Sequence, residues 1–284
     1  MQIKKFLYHL KPSNLVDTIK SNISNDTLVV YWSHSKGGTK NFGDVLNKYL
    51  IEKISGKEVL NFKDFIFLRK SKERHSAIGS VLNQFEVDNL VIWGSGFIQK
   101  PKSLKFTVKE IRAVRGPLTK KIFEDNNIDC PSVFGDPAIL LPNFFHPKVS
   151  KKHEYGIIPH YTDLDSDNLN SFVKNNNVKV IDVTSPIESL VTQLLECNHI
   201  LSSSLHGIIL ADAYKIPNLW ITINNRLVGG EFKFHDYFLS NNKDIYEPIQ
   251  INADIELSNL KDKFREGKMS IDIDKLLEVC PFNK

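Results

Sequence analysis

Two hydrophobic rhythms alternate along this chain. Short apolar runs are followed by segments in which apolar residues recur every three or four positions, and the pair repeats from one end to the other. In the first half, Thr27 to Trp32, Ala77 to Gly79, Leu90 to Trp93 and Ile111 to Val114 predict strands. Between them, Val45, Leu46, Tyr49, Leu50 and Ile54 share one helical face, as do Leu118, Ile122 and Phe123. The second half predicts strands at Tyr155 to Ile158, Val178 to Val183, Ile200 to Ser203 and Leu219 to Ile223, and helices at Pro186 to Glu196 and Leu205 to Tyr214. This is the pattern of an α/β protein with mainly parallel sheets.

The rhythm breaks once, in Leu141 to Glu154, which holds Pro142, Pro147 and two histidines. A boundary there gives an N-terminal αβ unit over residues 1–145 and a C-terminal one over 146–284, facing each other across a cleft. In such sheets ligands bind at the carboxyl ends of the strands, where loops run into helix N-termini. Four of these junctions carry residues capable of chemistry.

Composition narrows the field. The formal charge is +4, and 37 basic residues are scattered among 33 acidic ones, so no dense basic block points to nucleic acid. A mild positive balance suits an anionic small substrate or peripheral contact with an anionic membrane surface, although most proteins of this charge need neither. Cys130, Cys197 and Cys280 are far apart, with no CxxC pair and no neighbouring histidine at ligand spacing, so reduced structural thiols and no metal are expected. The opening MQIKKFLYHLKPSNL has a broken apolar stretch and no small-residue cleavage site, and the expected location is cytoplasmic.

The first junction is SHSKGGTKNFGD, containing His34, Lys36, Asn41, Gly43 and Asp44. Its Gly38 to Gly43 spacing imitates a Walker A loop, but Asp44 and Val45 stand where Lys and Ser/Thr would hold phosphate and Mg²⁺. Asp44 reads either as a helix N-cap or as a base for a sugar hydroxyl. At the second junction, LVIWGSGFI, the residues Gly94, Ser95 and Gly96 read as a loop whose backbone approaches a ligand closely. At the third, Arg115 precedes Pro117 at a helix start, where a guanidinium beside unpaired amides suits a carboxylate or phosphate; a structural ion pair is the alternative. Asp136, in FGDPAILLP, reads as a structural cap.

At the fourth junction Ser202, Ser203, Ser204, Leu205 and His206 join a strand to a helix, so hydroxyls, amides and the positive end of the helix dipole converge on one point. His206 is the candidate acid there. A bound phosphate dianion would favour its imidazolium, against the helix dipole. A histidine packed at a helix start is the structural alternative.

These motifs together, NFGDVLNKYL, VIWGSGF, RAVRGPLT, GDPAILLP, SSSLHGIILADAYKIP and GGEFKFHDYF, resemble the polysaccharide pyruvyl transferase family, in particular its succinoglycan pyruvyl transferase-like branch, over roughly residues 29 to 240. The resemblance implies a GT-B-like fold, phosphoenolpyruvate as donor and no cofactor. It also implies a glycan acceptor, free or polyprenyl-diphosphate-linked, met at the inner face of the membrane. Position by position it places the donor on Arg115, Ser203, Ser204, Leu205 and His206, with His206 and Asp44 catalytic. The cleft loops with His34, Lys36, Asn41, Gly43, Gly94, Ser95, Gly96 and His235 fall to the acceptor. Much of the family has Arg where this chain has Ser204, and Lys233 or Arg226 is expected to supply that charge. A nucleotide-sugar glycosyltransferase on the same fold is the main rival, and a glycan-binding module without activity is a third reading.

Overall fold

A computed structural model describes residues 11–24, 26–33, 41–65, 67–69, 72–173, 175–223, 230–252 and 255–283. Two five-stranded sheets, all pairings parallel, form its frame. The first contains β1 (Thr27–Val30), β2 (Glu58–Asn61), β3 (Arg74–Ser76), β4 (Leu90–Trp93) and β5 (Val108–Ala113), in the order β2-β1-β3-β4-β5. The second contains β6 (His153–Ile158), β7 (Val178–Val180), β8 (Cys197–Ser202), β9 (Asn218–Ile223) and β10 (Ile249–Ile251), in the order β10-β9-β8-β6-β7. Helices cover both faces of the sheets, so strands β4 and β9 have no exposed residue.

The helices of the first half are α1 (Pro12–Ile23), α2 (Phe42–Ser55) and α3 (Pro117–Glu124). The second half adds α4 (Asp167–Val173), α5 (Ile187–Leu195), α6 (Leu205–Ala213), α7 (Phe232–Ser240) and α8 (Ile273–Glu278). Helix α6 is apolar on nearly every side, which marks a helix surrounded by protein. It packs on β8 and on a 3₁₀ segment, Pro137–Asn143, that leads out of the first sheet. One apolar core runs without interruption from Val30 and Trp93 in the first sheet through Leu140 and Ile208 to Trp220 in the second and Phe234 on α7.

Three departures from the sequence reading have physical causes. The third strand ends at Ser76, before the apolar Ala77 and Ile78 that predicted it, because Ile78 donates its amide to the Asn47 side chain (2.9 Å) and Gly79 donates to Asp136 (3.0 Å). Helix α2 begins at Phe42 with Asn41 as N-cap, so Asp44 lies inside its first turn and is not the cap. The C-terminal stretch, expected to belong with the second half, returns to the first sheet. There the Trp93 indole donates to the Leu276 carbonyl (3.0 Å), and Phe282 packs on His75 and Trp93.

Candidate functional site

The carboxyl ends of the two sheets open onto a shared pocket of about 520 Å³. Asn41, Asp44, Lys63 and the turn Gly79 to Val81 line it from the first half, with Gln84 held by the Tyr31 hydroxyl (2.7 Å). The second half contributes His160, Tyr161, Ser204, Leu205, His206 and Lys233. Asn41, Asp44, Gly79, His160, Ser204, Leu205, His206 and Lys233 sit at or just past a strand end or at a helix start, as parallel α/β topology favours.

The floor is the β8–α6 junction. Ser204 caps α6 in an extended conformation, and its side chain makes no capping bond. Among the described residues no acceptor faces the amides of Leu205 and His206, while the junction is braced from behind: the Ser202 hydroxyl accepts from the Ser204 amide at 3.0 Å. Two unpaired amides at the positive end of a helix form an anion receptor.

His206 stands in the first turn of α6, and only 13% of its side chain is exposed. Its ring lies flat against Gly43: a Cβ there would sit 2.3 Å from Nδ1. The edge of Phe42 supports the ring from the side, with centroids 5.9 Å apart. Nε2 is buried without a hydrogen-bond partner and points to the Asp136 carboxylate at 3.7 Å. Asp136 is fully buried, and it does cap the 3₁₀ segment through Ala138 (3.0 Å), as its place in GDPAILLP predicts. Its other oxygen accepts from Gly79 and faces His206. One carboxylate thus caps a helix and partners a histidine from the other half of the molecule. The sequence motif carries the first role openly and the second not at all.

Lys233 enters from the first turn of α7 and is 7% exposed. Burial, with the Arg115 guanidinium nearby, pulls its ammonium down to about 8. His160 follows β6 on the facing junction; its Nδ1 shares a hydrogen with the Thr162 hydroxyl (2.8 Å). Burial first, then the charges of Lys233 and His206, lowers it to about 4, so it is neutral in ordinary buffers. His160 escaped the sequence reading, although its position just beyond a predicted strand was the available signal.

Arg115 is completely buried and does not line the pocket. Nε donates to Asp236 (3.0 Å), Nη1 to the Ser80 hydroxyl (2.5 Å) and Nη2 to the Phe97 carbonyl (2.6 Å). Asp236, on α7, also accepts from the amides of Leu118 and Thr119 and from the Thr119 hydroxyl, closing the N-terminus of α3. The guanidinium therefore joins α7 to the first half and backs the pocket wall at Ser80. Its ion-pair reading is what this geometry displays, in place of a direct grip on an anion.

The Gly94 to Gly96 turn does allow close approach, but of protein to protein. A Cβ on Gly94 would strike Pro137, one on Gly96 would strike Arg115, and Ser95 is buried with its hydroxyl accepting from Ser76 (2.7 Å). These three residues lie behind the pocket, and the turn at Gly79 and Ser80 takes the place expected of them. Ser203 is likewise structural, donating to Asp163 (3.2 Å) and accepting from the His160 amide (2.8 Å). Leu205 lines the pocket while its side chain belongs to the core. His235 faces away, toward Glu231 and Glu247. His34, Lys36 and Arg226 lie outside the described residues.

Fold and site together define an α/β protein whose two parallel sheets meet at a pocket lined by His160, His206, Lys233 and a helix start. The family model for polysaccharide pyruvyl transferases matches residues 14–225, and the chain belongs to that family. An uncharacterized protein of Acanthamoeba polyphaga mimivirus is 34% identical to it over 204 residues, 69% of each chain. A succinoglycan biosynthesis protein of Rhizobium meliloti is 25% identical over 222 residues, which are 73% of this chain; the match spans 62% of that protein's length. Among the described residues no helix is long and apolar enough to cross a membrane.

Proposed function

We propose that this chain forms a pyruvate ketal on a sugar of a bacterial-type surface polysaccharide or its lipid-linked repeat unit, with phosphoenolpyruvate as donor and on a GT-B-like fold. The observation that carries the reading is His206, held between Gly43 and the buried Asp136 at a helix N-terminus built to receive an anion.

The reaction has a defined balance. The donor's methylene carbon gains a proton, its C2 gains two bonds to sugar oxygens, the C2–O bond to phosphate breaks, and the two hydroxyl protons end on carbon and on departing phosphate. His206 is the acid. With Nε2 turned to Asp136, Nδ1 is the nitrogen left to deliver the proton, and Asp136 balances the charge the ring carries when protonated. The amides of Leu205 and His206, with Lys233, receive the donor's phosphate and carboxylate, and Lys233 supplies the charge that Ser204 does not. Arg115 contributes at one remove, through Ser80 and the placement of α7. Asp44 and the neutral His160 are the candidate acceptors of the sugar's hydroxyl protons, and Asn41, Gln84 and Tyr161 line the space left for its ring. No step at the reacting atoms calls for a metal or other cofactor. A polyprenyl-linked acceptor would bring the cytoplasmic protein to the inner face of the membrane.

The test is phosphate release from phosphoenolpyruvate in the presence of free or lipid-linked galactosides, glucosides and mannosides. Replacing His206 with Ala lowers turnover by about 10² or more with the fold intact. Near-normal release from that variant would overturn the assignment. Thermal stabilisation by UDP-sugars, with none by phosphoenolpyruvate, would instead favour a nucleotide-sugar glycosyltransferase.

A further inference from the structure

Outside the pocket, among the described residues, Glu231, His235 and Glu247 form a cluster of ligating side chains without an evident structural role. Glu231 is the N-cap of α7 and His235 lies one turn on, its amide donating to the Glu231 carbonyl at 3.0 Å, so their side chains align on one face of the helix. Glu247, on the connection to β10, closes on them from outside. One ligand atom from each of the three lies within 4.8 Å of the other two. Among the described residues none of these side chains makes a hydrogen bond or an ion pair with another group, and Nε2 of His235 is buried with no partner. Trp220 stands edge-on to the imidazole, with ring centroids 6.0 Å apart, and fixes its plane.

Two carboxylates this close repel each other, and a buried imidazole nitrogen without a partner is costly. A divalent ion removes both penalties at once. We propose that Glu231, His235 and Glu247 form a divalent-cation site for an ion of borderline softness such as Zn²⁺. The imidazole nitrogen favours such an ion over Mg²⁺ or Ca²⁺, which prefer all-oxygen shells. Two carboxylates neutralise the ion's charge, and three protein ligands leave a coordination position for water.

None of the three residues lines the catalytic pocket, so the ion acts on structure and not on the reacting atoms. It ties the first turn of α7 to the strand connection beyond it. Lys233 and Asp236 flank His235 on that same turn, one entering the pocket and the other holding Arg115 and the start of α3. The site would steady the element that carries both.

The experiment uses tag-free full-length protein, stripped with EDTA and titrated calorimetrically with Zn²⁺, and in parallel with Mg²⁺, with thermal melts at each end point. Wild-type protein binds one Zn²⁺ per chain and melts about 5 °C higher at saturation. Replacing Glu247, an exposed residue, with Gln weakens binding at least tenfold while the stripped protein's melting temperature does not fall. His235→Ala abolishes the stabilisation. Absence of saturable one-to-one Zn²⁺ binding, equal affinity in wild type and both variants, or equal protection by Mg²⁺ each overturns the proposal. The readout involves no donor or acceptor, so its failure is separate from failure of the pyruvyl transfer reading.

Discussion

Replacing Arg115 with Met tests whether this residue holds the molecule together or holds the substrate. Met keeps much of the stem's volume and removes the guanidinium, and with it the bonds to Asp236, Ser80 and Phe97. Both Arg115 and Asp236 are fully buried, so the Asp236 carboxylate would be left without its counter-charge in a site water does not reach. Breaking such a pair from one side costs about 3–5 kcal/mol, because the orphaned charge remains. The Leu118 and Thr119 amides and the Thr119 hydroxyl still accompany Asp236, which favours the lower end of that range. For a chain of this size each kcal/mol corresponds to about 2–4 °C, so the melting temperature falls by about 6–12 °C. The assay is urea and thermal unfolding followed by far-UV and near-UV circular dichroism, beside donor KM measured well below the melting range. A loss under about 1 kcal/mol, together with a large rise in KM, would refute the structural assignment and restore Arg115 as a direct ligand of the donor.

Gly43→Ala places a Cβ 2.3 Å from Nδ1 of His206 and must displace the ring, so kcat falls nearly as far as in His206→Ala while circular dichroism stays unchanged. Asp136→Asn keeps the shape but loses the charge opposite Nε2; kcat drops about 10- to 100-fold while KM changes little. Lys233 has its folded value pulled from 10.5 down to about 8, so its ammonium is present below that pH and lost above it. Donor affinity therefore weakens as pH rises through about 8, and Lys233→Met both flattens that dependence and raises the melting temperature at neutral pH, where the buried charge is a cost. His160, lowered from 6.5 to about 4, keeps its stability contribution above pH 6.5 and loses it as pH falls toward 4; His160→Asn should show a shallower acid destabilisation over that window.

Much of the frame was legible because it rests on local rules. Leu90–Trp93 reads as a buried strand and is one, and Ile187, Leu190, Val191, Leu194 and Leu195 read as one buried face of a helix and form it. The short edge strands Glu58–Asn61 and Ile249–Ile251 were not legible, since four or three residues of mixed burial carry no period. Helix α7 was recognised only as part of a motif. Its aromatic residues face the core while Lys233 and Asp236 are also buried, so its polar positions do not mark a solvent face.

The candidate site divides along the same line. The SSSLHG junction announces itself because an extended cap, an apolar helix and a histidine in its first turn are all properties of neighbouring residues. That the imidazole meets Asp136, that Arg115 turns inward to Asp236, and that Gly94 to Gly96 serve Pro137 and Arg115 are all contacts between residues far apart in the chain. Sequence alone determined the alternation of strands and helices, the β8–α6 junction and the presence of His206 in its first turn, because periodicity and helix-end chemistry act over a few residues. Only the tertiary structure decided which charges cancel one another and which face the pocket, because desolvation and pairing depend on what the rest of the chain packs against each group.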